Sequence, residues 1–179
     1  PRTTGNGIIP QIQLEGLSAV SAGSMAAILN RTDDLGPRIV LTKTRGSTLG
    51  ANDIVQDEDE LGSIYFCAAD GVDANSLGAR ITAFVDGTPG ENDTPGRLVF
   101  STTADGASLP TDRLDIESDG RQRNFSSSAT VFEAASSQAA NTSNFIFIGK
   151  YSATALGAGS NAFFVFTNGN VQNINNSYG

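Results

Sequence analysis

The sequence predicts a mainly β chain: short antiparallel strands in a sandwich-like or intertwined trimeric β module, with little or no helix. Three observations carry that expectation. Gly, Ser, Thr, Asn and Ala are abundant in the 179 residues, while Trp and His are absent. Apolar residues fall in short runs and never keep up the 3.6-residue period of an amphipathic helix. Clusters such as Asp86-Gly87-Thr88-Pro89-Gly90 and Asp93-Thr94-Pro95-Gly96 break those runs with residues that permit positive φ or fix φ outright. The length suits one globular domain or two small ones, enough to bury about two thirds of the unfolded surface.

In chain order the predicted strands are Gln11–Glu15, Met25–Asn30, Arg38–Thr44, Ser63–Ala68, Arg80–Val85, Arg97–Thr102 and Arg113–Glu117. Asp33-Asp34-Leu35-Gly36-Pro37 is a turn between the second and third. The clearest alternation is Arg113-Leu114-Asp115-Ile116-Glu117, in which Leu114 and Ile116 share one face and the charges share the other, as at a sheet edge that meets solvent. Cys67, in the run Ile64-Tyr65-Phe66-Cys67, reads as a small buried hydrophobe.

A boundary is expected near Asn124, giving a charged β-rich module over 1–124 and a charge-poor module over 125–179. Beyond Asn124 only Glu133 and Lys150 are charged, while Asn, Ser, Ala and Phe accumulate. Phe145-Ile146-Phe147-Ile148 and Phe163-Phe164-Val165-Phe166 are apolar on both alternating faces, so each strand needs cover on two sides. A segment of ~55 residues has too little volume to bury both by itself, which points to an oligomer. Val131–Ala140 is compatible with a short helix or a strand.

The net charge of −8 excludes general nucleic-acid binding, which needs clustered Lys and Arg. There is no apolar run of ~18 residues and so no membrane insertion, and no apolar signal-peptide core. With Pro1 in place of an initiating Met, the chain reads as an excised or processed piece. The absence of His removes the usual general base for a Ser or Cys nucleophile. Gly5-Asn6-Gly7 and Gly157-Ala158-Gly159 match neither a P-loop nor a dinucleotide fingerprint. The acidic run Asp57-Glu58-Asp59-Glu60 has hard-cation chemistry but no EF-hand spacing, and reads as a solvated loop before a strand. Paired carboxylates for glycoside hydrolysis lack the aromatic platform that would accompany them. No catalytic, cofactor or metal residue is therefore assigned. The amides of Asn168, Asn170, Asn173, Asn175 and Asn176 suit sugar hydroxyls, and equally suit turns and side-chain ladders.

One resemblance adds to this reading. The segment Gly96 to Gly120, GRLVFSTTADGASLPTDRLDIESDG, resembles a stretch near the C-terminal end of bacteriophage tail fibres and tail spikes, just upstream of an endosialidase-type intramolecular chaperone. DELGSIYFCAADG (Asp59 to Gly71), GARITAFVDGTPGENDTPG (Gly78 to Gly96) and the closing NGNVQNINNSYG (Asn168 to Gly179) are similar to the same family. The resemblance implies a virion protein of the tail, a homotrimer that associates with other phage tail proteins, and a host surface glycan or protein as receptor. It also implies chaperone-assisted folding, with release by self-cleavage; the sequence stops at Tyr178-Gly179, so no cleavage residue is assigned. A polysaccharide-degrading spike and a purely architectural segment are the rival readings.

Overall fold

A computed structural model describes residues 12, 14, 24–127, 145–151, 160–166 and 171–173. All eight strands are antiparallel and no helix occurs among these residues, so the chain is all-β where it is described. It divides into two compact units, Pro1–Ser127 and Ser128–Gly179.

The first unit holds a five-stranded meander: β1 (Glu60–Ala68), β2 (Ser76–Val85), β3 (Gly96–Thr102), β4 (Thr111–Ile116) and β5 (Gln122–Asn124), in that spatial order. Sequential antiparallel neighbours require only short connections, and the sequence supplies them with turn residues. Between β1 and β2 the Asp70 carboxylate accepts the amides of Val72 and Asp73 at 2.8 and 3.0 Å, while Gly71 takes φ 96°. The β4–β5 turn closes through Glu117 N–H to Arg121 C=O at 2.9 Å, with Gly120 at φ 82°. A side chain at Gly71 or Gly120 would be strained in that conformation.

The second unit contains β6 (Phe145–Tyr151), β7 (Ser160–Phe166) and β8 (Val171–Asn173), with β7 in the middle. Both doubly apolar runs are thus strands, and they pair directly, Phe145 opposite Phe166 and Ile148 opposite Phe164. Asn173 pairs with Phe163 in β8. Asn168, Asn170, Asn175, Asn176 and Val131–Ala140 lie outside the described residues.

Three expectations need correction. Met25–Asn30 and Arg38–Thr44 are not strands: they run without a ladder partner among the described residues, and Ile28 and Ile39 are 82% and 70% exposed. Alternating apolar residues favour a strand only where a neighbouring strand or a packed face receives them. Of the first predicted strand, Gln11–Glu15, only Ile12 and Leu14 are described, and both are exposed. Arg113–Glu117 is not the sheet edge, because β5 pairs outside it, Leu114 opposite Asn124 and Asp115 opposite Arg123. Cys67 is exposed, since it sits on β1, which pairs only with β2 among the described residues.

The chain ahead of β1 nevertheless touches the sheet closely at Gly62. Gly62 lies so close to Leu41 that a Cβ added there would stand 2.8 Å from the Leu41 Cβ. Gly62→Ala is expected to dislodge the segment around Leu41, and trypsin would then cut after Lys43 and Arg45 several-fold faster than in the parent protein. An unchanged cleavage rate would show that this contact does not hold the segment.

Candidate interaction surface

Strand register sorts the side chains of the five-stranded sheet onto two chemically distinct faces, because residues directly opposite each other on neighbouring strands project to the same side. One face is apolar. Ile64 lies opposite Ile81, Ile81 opposite Phe100, and Phe100 opposite Leu114; one step along, Ala83, Leu98 and Ile116 form a second row. Phe66, opposite Ala79, extends it on β1. Ile64 and Phe66 are 49% and 53% exposed, and Ile81, Leu98, Phe100, Leu114 and Ile116 are only half-buried.

The other face is polar, yet it holds most of the fully buried side chains. Ser63, Thr82, Val99, Asp115 and Arg123 form one cross-strand row, and Tyr65, Arg80, Ser101 and Asp112 another. Thr82 and Ser101 are 0% and 1% exposed. Burial of hydroxyls is tolerable only with partners. The Ser63 and Thr82 hydroxyls share a hydrogen bond at 3.1 Å, Arg80 Nε donates to the Ser101 oxygen at 3.3 Å, and the Ser101 hydroxyl donates to Asp112 Oδ1 at 2.8 Å. Arg123 pairs with Asp115 at 2.8 Å and with Glu117 at 2.7 Å.

At one end of the sheet the acidic run is bound up almost completely by the protein itself. Asp57 Oδ1 accepts the amides of Gly87 and Glu58 at 2.7 and 3.1 Å. Glu58, at a left-handed φ of 67°, takes both prongs of the Arg97 guanidinium at 2.8 and 2.5 Å. Arg97 also reaches Asp86 at 3.4 Å and stacks over the Phe84 ring, 4.8 Å from its centre. Asp59 receives Arg45 at 2.7 and 2.8 Å together with the Gln56 amide at 2.9 Å. Glu60 accepts the Ser63 hydroxyl at 2.5 Å. The run is largely exposed at the turn before β1, as the sequence suggested, and it also acts as a clasp that fastens the chain before β1 to the β2–β3 hairpin. Among the described residues no group of three or more His, Cys, Asp or Glu is arranged to hold a metal ion.

The clasp shifts its own titration. The Arg45 hydrogen bond, then the Gln56 amide, lowers Asp59 from the ordinary carboxylate value to about 2. Arg97 likewise lowers Glu58, and the Ser118 amide is the main influence lowering Asp86. Because these folded-state values lie below the unfolded ones, ionised carboxylates stabilise the fold fully above the ordinary value of 3.8 for Asp59, and the contribution disappears as pH falls toward 2. The midpoint temperature is expected to drop steeply between those pH values, and Asp59→Asn should flatten the drop. A parent-like pH profile in that variant would refute the role given to Asp59.

An open depression of about 500 Å³ lies at the opposite end of the sheet, lined by Asp70, Asp73, Asn75, Ser76, Thr103 and Ser108 among others. Its carboxylates are already engaged by local amides, the Asp73 carboxylate by the Asn75 amide at 2.8 Å. Asn75 Oδ1 is buried without a partner, and so is Asp115 Oδ1 on the polar face. Neither atom was marked by any sequence signal.

No protein-family model and no curated protein matches the chain. Among solved structures, the carboxy-terminal domain of the bacteriophage T5 L-shaped tail fibre is similar at 16% identity and a TM-score of 0.43, covering 75% of this chain and 45% of that one. The same fibre domain with its intramolecular chaperone domain aligns at 15% identity and a TM-score of 0.44, covering 85% and 36%. The chain thus spans less than half the length of either structure. No helix among the described residues is long and apolar enough to cross a membrane.

Proposed function

We propose that this chain is a structural module of a bacteriophage tail fibre or spike, assembled as a homotrimer in the virion tail and presented to the host cell surface. The observation that carries the reading is the resemblance of Gly96 to Gly120, a segment that folds as β3, a loop and β4 at the centre of the sheet. The exposed side chains of Ile64 and Phe66 on the apolar face support an assembled state, because isolated soluble chains rarely leave a contiguous apolar surface in water. The reading keeps two successive modules, 1–124 and 125–179, with the paired Phe-rich strands β6 and β7 covered in the trimer. Its partners are further copies of the chain, other phage tail proteins and a host surface glycan or protein, with no nucleic acid, inserted membrane, cofactor or metal. Three copies carry −24 (3 × −8), so attachment to an anionic envelope rests on shape and hydrogen bonds instead of bulk charge. Many copies on one particle raise avidity.

Light scattering gives the mass in solution, and a well-folded monomer would refute the assembly. Incubation of the trimer with host surface glycans separates the remaining alternatives. Binding without release of reducing ends supports recognition, release supports a degrading enzyme, and neither supports a purely architectural segment.

A further inference from the structure

We propose that Asp105-Gly106, in the loop between β3 and β4, is a site of spontaneous covalent modification: it isomerises through a succinimide to isoaspartate, while the fold protects the other three Asp-Gly steps of the chain. The reaction needs no catalyst or cofactor. The Gly106 nitrogen attacks the Asp105 carboxyl carbon, one N–C bond forms and one C–O bond breaks, and the lost oxygen leaves as water with the carboxyl and amide hydrogens. Water then adds back to the ring. Opening at the former main-chain carbonyl leaves the backbone running through the Asp105 side chain, with a free α-carboxylate and no net change of mass. Glycine favours the step because no side chain crowds the attacking nitrogen.

Closure of the ring requires a carboxyl and an amide that are both free to turn toward each other. The other three steps lack that freedom. Asp70 accepts the amides of Val72 and Asp73 at 2.8 and 3.0 Å and the Ser76 hydroxyl at 3.3 Å. Asp86 accepts the Ser118 amide at 2.9 Å, and its neighbour Gly87 donates to Asp57 at 2.7 Å. Asp119 accepts the Arg121 amide at 2.9 Å, while Gly120 donates to the Glu117 carbonyl at 2.9 Å. The Asp73 amide at Asp70 and the Ser118 amide at Asp86 also hold those carboxyls below the ordinary range, and the ionised form is the poorer electrophile. At Asp105-Gly106 neither group has a hydrogen-bond partner among the described residues. Ala104 to Leu109 are all exposed, and a single turn bond, Ala107 amide to Ala104 carbonyl at 3.0 Å, spans the step. Such a loop opens at little cost. Because the β3–β4 ladder closes at Thr102 opposite Thr111, the lengthened backbone stays outside the sheet, and Ala107 and Ser108 at the rim of the open depression take up the change.

The test ages the full chain in warm, mildly acidic buffer, folded or in guanidinium chloride, and then digests it with trypsin, which places the four steps in separate peptides, 46–80, 81–97, 98–113 and 114–121. Isoaspartate is measured in each by enzymatic methylation, counting only peptides of unchanged mass so that Asn deamidation is left out. In the folded chain, 98–113 is expected to gain isoaspartate several-fold faster than the other three, and in denaturant the four rates converge. Equal rates in the folded chain, or a different peptide in the lead, overturn the proposal. The same lead for 98–113 in denaturant overturns protection by the fold. Asp105→Glu, whose longer side chain closes the ring far more slowly, should remove the signal from 98–113; its persistence would assign the reaction to Asp112 and overturn the site.

Discussion

Val85→Asp is expected to lower the thermal midpoint of the first unit by about 15 °C or more, read by circular dichroism. Val85 has no accessible surface and closes the end of β2. Its amide donates to the Asp59 carbonyl at 2.9 Å and its carbonyl accepts the Glu58 amide at 3.0 Å, so the residue is fixed by backbone on both sides. A carboxylate there would be buried without a counterion, beside a turn that already carries four acids, at a cost of about 4 kcal/mol or more. Domains of this size have only ~5–15 kcal/mol in total. Val85→Ala, which removes two methyl groups and adds no charge, should leave a folded protein with a lower midpoint. A normal melt for Val85→Asp would mean that this end of the sheet opens readily to water.

Arg97→Ala should produce the second large effect, a loss of about 2 kcal/mol measured by urea denaturation, in the lower part of the range for charged hydrogen bonds because solvent screens the exposed Glu58 carboxylate. Arg97 is 16% exposed and meets Glu58, Asp86 and the Phe84 ring at once. The substitution leaves both carboxylates without their cation and uncovers the ring. Arg97→Lys restores the charge without the planar fork, so it should recover only part of the loss. Equal stability of the Lys variant and the parent would show that charge alone, and not the two-pronged geometry, matters.

The strands were legible where alternation and pairing agreed. Ser63–Ala68, Arg80–Val85, Arg97–Thr102 and Arg113–Glu117 fall on β1 to β4, and the two Phe-rich runs fall on β6 and β7. The short strands β5, Gln122-Arg123-Asn124, and β8, Val171-Gln172-Asn173, carry too few apolar residues to show a period; only their neighbours define them. The N-terminal runs failed in the opposite way, with strand-like composition and no ladder partner among the described residues. The clasp was hidden because its parts are distant in sequence: Arg45 lies 14 residues from Asp59, and Arg97 lies 39 from Glu58. A run of acids cannot reveal which cations will close on it. The two-faced sheet was readable in principle at Leu114 and Ile116, but the polarity of each whole face emerges only after the register is known.

The ladder of Ser63 with Thr82 and of Ser101 with Asp112 has a kinetic implication. A slip of one residue between these strands would break the hydroxyl contacts, so the polar face fixes the alignment of the sheet. The sheet is then complete before any second copy arrives. In the proposed homotrimer, subunits carrying −8 each meet as preformed plates: joining should quicken with protein concentration and with added salt, which screens their repulsion, and leave the backbone of each sheet unchanged.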